Sequence, residues 1–167
     1  MRNLLVASLF FSLSLLSFGQ KNASIAYIDL NNILNSLPVT DSIQAALEAE
    51  RIEFEGAFQE MNTEYNKFLD EFQKNQETYS ELIKQTKSGE LLDKQKRLNE
   101  FEQNANNALQ QHNSEMIQPV YAKISEAIKK ISEEKNIDYV IDLSKGSVVY
   151  TSETALKLDD LVIAIVK

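Results

Sequence analysis

Reactive side chains are sparse in this sequence, and their spacing argues against catalysis. The one histidine, His112, falls in the repeating apolar register of a long helical stretch. A lone imidazole there reads as a packed or half-exposed seam residue, since no nucleophile has a base at workable spacing. Asp29 and Asp142 each follow an isoleucine near the end of a β-like run and can be drawn as an acid pair. Accepting backbone N–H groups at strand ends is the simpler role for both. The glycines, Gly19, Gly56, Gly89 and Gly146, lie too far apart to build a phosphate-cradling loop. The glutamates between Glu48 and Glu64 read as solvated helix flanks rather than a metal cluster. No catalytic residue, metal or cofactor is expected, and the chain does not read as an enzyme.

The ends and the charge narrow the class further. Residues 1–19 have the form of an export signal: Arg2, an apolar run from Leu4 to Phe18, and Ser17 and Gly19 before a cut near Gly19/Gln20. The run is shorter than the roughly 18 residues that span a bilayer. The absence of cysteine excludes disulfides and a lipobox anchor. Seventeen Lys and Arg against 25 Asp and Glu give a formal charge of −8. Losing Arg2 with the signal makes the exported chain one unit more acidic. That balance argues against nucleic acid, which needs clustered cations, and against attraction to an anionic membrane surface.

The elements on which these residues sit are dominated by two helical stretches, Thr40–Lys87 and Glu90–Asn136, of nearly equal length about Ser88 and Gly89. On the first, Leu47, Phe54, Met61, Phe68 and Leu82 share one seven-residue register, and Phe58, Tyr65, Phe72 and Tyr79 share another. Leu91, Leu98, Ala105 and His112, with Phe101 and Ala108, answer on the second. This is a coiled-coil seam. Its aromatic residues read mainly as the hairpin's own core. Past Pro119, Val120, Ile124, Ala127, Ile128 and Ile131 carry the apolar stripe to the base. Helices of about 46 residues would reach roughly 70 Å. Asp41, with Gln44 three residues on, is the expected N-cap of the first.

Short β-like segments flank the arm: Ser24–Leu30, then Asp138–Leu143 and Ser147–Thr151 around a turn at Ser144-Lys145-Gly146, which reads as a β-hairpin. The end, Lys157–Lys167, reads either as a short helix over Leu161–Val166 capped by Asp159, the favoured reading, or as another strand. The expected fold class is α+β, a long antiparallel α-helical coiled-coil hairpin, residues 40–136, projecting from a small β-rich body made of residues 20–39 and 137–167. So small a body buries too little to stand alone, so several copies are expected to complete its sheet and core.

Two surface features follow from the mirror geometry. At the tip, Tyr79, Leu82, Ile83, Leu91 and Leu92 collect with Lys84, Lys87, Lys94, Lys96 and Arg97, a mixed apolar and cationic end suited to transient binding of polypeptide. Pairing residues about Ser88 and Gly89 sets Gly56 level with Tyr121, close to Pro119. Two helix-weakening residues at one height suggest a hinge at Gly56 and Pro119.

In the order SIAYIDLNNILNSLP, hairpin, PVYAKISEAIKKISEEKNIDYVIDLSKGSVVYTSE and a short tail, the chain resembles the Skp/OmpH family of periplasmic chaperones. The stretch from Pro119 to Tyr150 carries most of the likeness. The resemblance implies a homotrimer whose body includes Ile25, Tyr27, Tyr139, Ile141, Val148 and Tyr150, with three arms forming a cage. It also implies an ATP-independent periplasmic holdase for unfolded outer-membrane proteins. Familiar enterobacterial members are strongly basic, and this chain is acidic, so the expected partners are unfolded outer-membrane proteins rather than lipid. A structural or adaptor coiled coil of the cell envelope is the alternative.

Overall fold

A computed structural model of the chain describes residues 23–146 and 148–167; the expected export signal lies outside them. Two long helices dominate, α2 (Pro38–Asn75) and α3 (Glu81–Lys135), preceded by β1 (Ile25–Ile28) and α1 (Leu30–Asn35). After α3 come β2 (Tyr139–Asp142), a single 3₁₀ turn (Leu143–Lys145), β3 (Leu156–Lys157) and α4 (Asp159–Val166). The long helices lie antiparallel. Phe54 meets Phe101 edge-to-face with ring centroids 6.2 Å apart, Glu64 faces Lys94 at 3.6 Å, and Lys87 lies over the Phe68 ring.

The hairpin turns earlier than the sequence suggests. Its connection runs from Gln76 to Ser80, not through Ser88 and Gly89, which both lie inside α3. The arms are therefore unequal, at 38 and 55 residues, or roughly 57 and 80 Å. The local chemistry explains the position. The Thr78 N–H and hydroxyl both donate to the Asn75 carbonyl, closing a turn. The Ser80 hydroxyl then accepts from the Ile83 N–H, capping α3. Gly89 costs a helix only about 1 kcal/mol relative to alanine, too little to break one this long.

At its root, α2 starts at Pro38, not at a cap formed by Asp41. Leu37 is the N-cap and makes no side-chain bond. Proline suits the first helical position because the N–H it lacks would have no partner there. Asp41 sits in the first turn, where the helix N-terminus favours negative charge. Pro119 lies within α3, and the helix continues through it.

The sheet is parallel, in the order β2-β1-β3. β1 pairs with β2 from Ile25↔Tyr139 to Ile28↔Asp142, and with β3 at Ala26↔Leu156 and Tyr27↔Lys157. The expected hairpin after Asp138 does not form, and residues 148–151 adopt no strand. Asp142 accepts from the N–H and hydroxyl of Ser144, which curls the chain into the 3₁₀ turn. Gly146, at φ +67°, ends that turn, and β3 forms ten residues later against the other edge of β1.

The apolar core is confined to the root. The inner sheet face supplies Ala26 and Ile28, α1 with the residue before Pro38 supplies Ile33 and Leu37, and α4 with its N-cap supplies Leu158 and Val162. Val120, Ile124, Ala127 and Ile131 recur at spacings of four, three and four on α3, so one stripe faces inward. Ile33, Leu158 and Val162 are fully buried within one chain. The expectation that the body needs other copies to complete its core is therefore corrected. Its interior closes alone because α1, α4 and the last turns of α3 cover the sheet's inner face. Beyond the root, Leu98 is the one buried hydrophobic residue of the arm among the described residues.

Candidate functional site

The candidate acids are occupied as structural acceptors. One Asp29 carboxylate oxygen caps α1, accepting from the N–H groups of Asn31 at 3.0 Å and Asn32 at 3.2 Å. Asp142 accepts from Ser144 and from the Leu30 N–H. Partial burial opposes its ionisation, but the Ser144 and Leu30 donors outweigh it and hold the carboxyl below its ordinary value. Asp159 was expected to cap α4. Instead the N-cap is Leu158, and the wholly buried Asp159 carboxylate accepts from the Asp29 N–H at 2.9 Å and the Asn32 amide at 2.8 Å. Lys157 Nζ lies 3.1 Å from it, and its pKa is raised by that bond. No local pattern announces a contact between residues 130 positions apart.

His112 faces the other helix. Its Nδ1 lies 2.8 Å from a Glu50 carboxylate oxygen. That bond, and then the charge of Glu50, raise the imidazole pKa above its ordinary value. Among the described residues, no group of three His, Cys, Asp or Glu side chains is placed to hold a metal ion.

The residues expected at the tip divide into two groups. Tyr79 lies in the connection, its ring stacked on Phe72 at 6.3 Å. Lys87 sits over Phe68 at 4.7 Å and Tyr79 at 5.5 Å, and Lys84 pairs with Glu81. Beside them Leu82 is 74% exposed, and Ile83 is exposed as well. Leu91, Leu92, Lys94 and Arg97 fall further down α3, with Arg97 roughly 25 Å below Ser80. Leu92 is 67% exposed, but Leu91 is half-buried and Lys94 turns toward Glu64 and the Phe68 ring.

The hinge geometry does not hold. Glu50 opposite His112 and Phe54 opposite Phe101 put Gly56 level with the Phe101 region. Pro119 lies at the root, between Ile117 and Tyr121, which line a pocket with Thr40 and Ile43. The early turn shifts every cross-arm pairing, so the two residues never share a height. A Cβ added at Gly56 would meet nothing within 4 Å, so close packing does not require the glycine.

At the root, alternation along β1 and β2 turns Ile25, Tyr27, Tyr139 and Ile141 to the face opposite the core. Ile25 is 54% exposed and Tyr139 63%. Parallel sheets are ordinarily covered on both faces, so this bare apolar face is an unusual feature of a single chain. Val148 is half-buried, and Tyr150 is 82% exposed in the segment between the 3₁₀ turn and β3.

A two-helix arm is thus rooted in a small parallel sheet whose outer face is bare, and the candidate acids at the root act as hydrogen-bond acceptors. The chain belongs to the OmpH-like outer membrane protein family, whose model matches residues 24–166. The fold is similar to the crystal structure of a candidate outer membrane chaperone (OmpH-like) from Caulobacter crescentus CB15. The TM-score is 0.72 at 13% identity, over 89% of this chain and 86% of that one, a likeness of fold. None of the curated proteins matches the sequence.

Proposed function

We propose that this protein is an ATP-independent holdase of the periplasm, exported by its N-terminal signal and acting as a homotrimer on unfolded outer-membrane proteins. The observation that carries the reading is the division of the chain into a root that closes its own core and an arm that buries almost nothing. An arm of this length adds little to the stability of its fold, so its surface serves contact with something else. Membership of the OmpH-like family supports an outer-membrane client. The bare sheet face at Ile25, Tyr27, Tyr139 and Ile141 is the surface through which the copies would join, making one coiled-coil arm of each a wall of a shared cage. The arm end at Tyr79, Leu82, Ile83, Lys84 and Lys87 supplies client contacts, with Leu91, Leu92, Lys94 and Arg97 along its side.

In this mechanism the client is bound while unfolded, which holds it back from aggregation. Several weak contacts on linked arms act together through their high effective concentration. Enclosure also keeps the client's unpaired strand edges from meeting those of other clients. Light scattering tests the reading as a denatured outer-membrane protein is diluted into buffer with the exported chain. Suppression near one trimer per client is expected. Aggregation that proceeds unchanged would refute the holdase and leave the envelope adaptor as the better account.

A further inference from the structure

A shallow groove, open to solvent and about 450 Å³ in volume, lies on the flank of the arm between the two helices. Phe54, Phe58, Phe101, Ala105 and Leu109 line it, and all five remain half-buried. Glu55 and Glu102 stand at its rim. That level of the arm also holds the charge imbalance of the whole chain. Residues 41–60 contain Asp41 and five glutamates against Arg51 alone. Residues 98–118, which face them, contain Glu100, Glu102 and Glu115 and no Lys or Arg. The band therefore has a formal charge of −8, as much as the entire chain. Its one arginine is already paired with Glu48 and Glu55. Glu53, Glu60 and Glu102 are exposed and make no ion pair among the described residues.

We propose that this groove takes cationic unfolded segments: apolar or aromatic side chains seated on Phe54, Phe58 and Phe101, with flanking Lys or Arg side chains answering the carboxylates around them. Charge complementarity selects the occupant. A second copy of this chain would bring its own acidic band to the same groove, and like charges would oppose the contact. A cationic segment gains from the field of the whole band, which concentrates it near the groove before any side chain docks. The inference rests on the holdase reading and specifies which parts of a client the arm selects.

The test is fluorescence anisotropy of the exported chain with two labelled, unstructured peptides of equal length and apolar content, one flanked by lysines and one by glutamates. The lysine-flanked peptide is expected to bind about tenfold more tightly at about 50 mM salt, the work of a few exposed ion pairs. The gap should close at about 500 mM salt, where screening shortens the reach of the band. The triple variant Glu53→Gln, Glu60→Gln, Glu102→Gln, folded by circular dichroism, should lose most of the gap even at low salt. Equal binding of the two peptides, no binding of either, or a gap that the triple variant keeps overturns the proposal. If the same preparation still suppresses client aggregation, the holdase reading survives that result; if suppression is absent too, both fall.

Discussion

Tyr139 sits directly across from Ile25 in the parallel register of β2 and β1, and both side chains face away from the core. Tyr27 and Ile141 repeat the arrangement one step along the same face. Ala26 and Ile28, between them in sequence, are buried on the other side. One strand thus serves a closed interior with half its residues and presents the other half to solvent. Folding of the root thus leaves this outer face uncovered within one chain, separate from the proposed association of copies there.

That separation yields the first prediction. The double variant Ile25→Lys, Tyr139→Glu should reduce the solution mass from three chains to one by analytical ultracentrifugation. Helix content should be retained, because none of the buried core residues is touched. A variant that stays trimeric would show that copies join elsewhere.

Interior substitutions should behave in the opposite way. Ile124→Ala should cost about 2–5 kcal/mol in urea unfolding, since Ile124 packs within the root core. Leu82→Ala, at the exposed arm end, should change stability by less than about 0.5 kcal/mol. Asp159→Ala should cost about 1–3 kcal/mol, because it removes a wholly buried carboxylate that accepts from the Asp29 N–H and the Asn32 amide. Equal sensitivity along the arm would contradict a core confined to the root.

The position of the hairpin turn gives a prediction of opposite sign at two neighbouring sites. Gly89→Ala should stabilise the chain by about 0.5–1 kcal/mol, because Gly89 is helical and a Cβ there meets nothing within 4 Å. Ser80→Ala should destabilise by about 0.5–2 kcal/mol through loss of the α3 cap. Thermal melts of the two variants check both. A destabilising Gly89→Ala would restore the turn to Ser88 and Gly89.

The His112–Glu50 pair should give the arm a pH-dependent stability. Its imidazole pKa is raised above 6.5, so the folded arm binds the proton more tightly than the unfolded chain does. The pair's contribution is then fully present below 6.5 and fades as pH rises through the raised value. Melting temperature should fall across that window in the parent chain and stay flatter in His112→Gln. Parallel curves for the two proteins would count against the contact.

The stripe Val120, Ile124, Ala127 and Ile131 was legible because helical periodicity is local, and it forms the α3 wall of the core. For α4, an expected Asp159 cap favours helix over strand, although Leu158 takes that place. The turn was misplaced because a lone glycine is a weak breaker, whereas Asn75, Thr78 and Ser80 act through bonds that no apolar pattern reveals. Shifting the turn then moved every cross-arm pairing, and Gly56 and Pro119 parted. The strand β2 was recognisable from its residues, but its parallel pairing with β1 spans the whole arm. The burial of Asp159 beside Asn32 likewise depends on contacts distant in sequence.

The mass of the exported chain, measured alone and with a denatured outer-membrane protein, tests the trimeric holdase most directly. Three copies alone, and three copies with one client in the complex, are the predicted result. A stable single chain at working concentration, with the client recovered as aggregate, would contradict it.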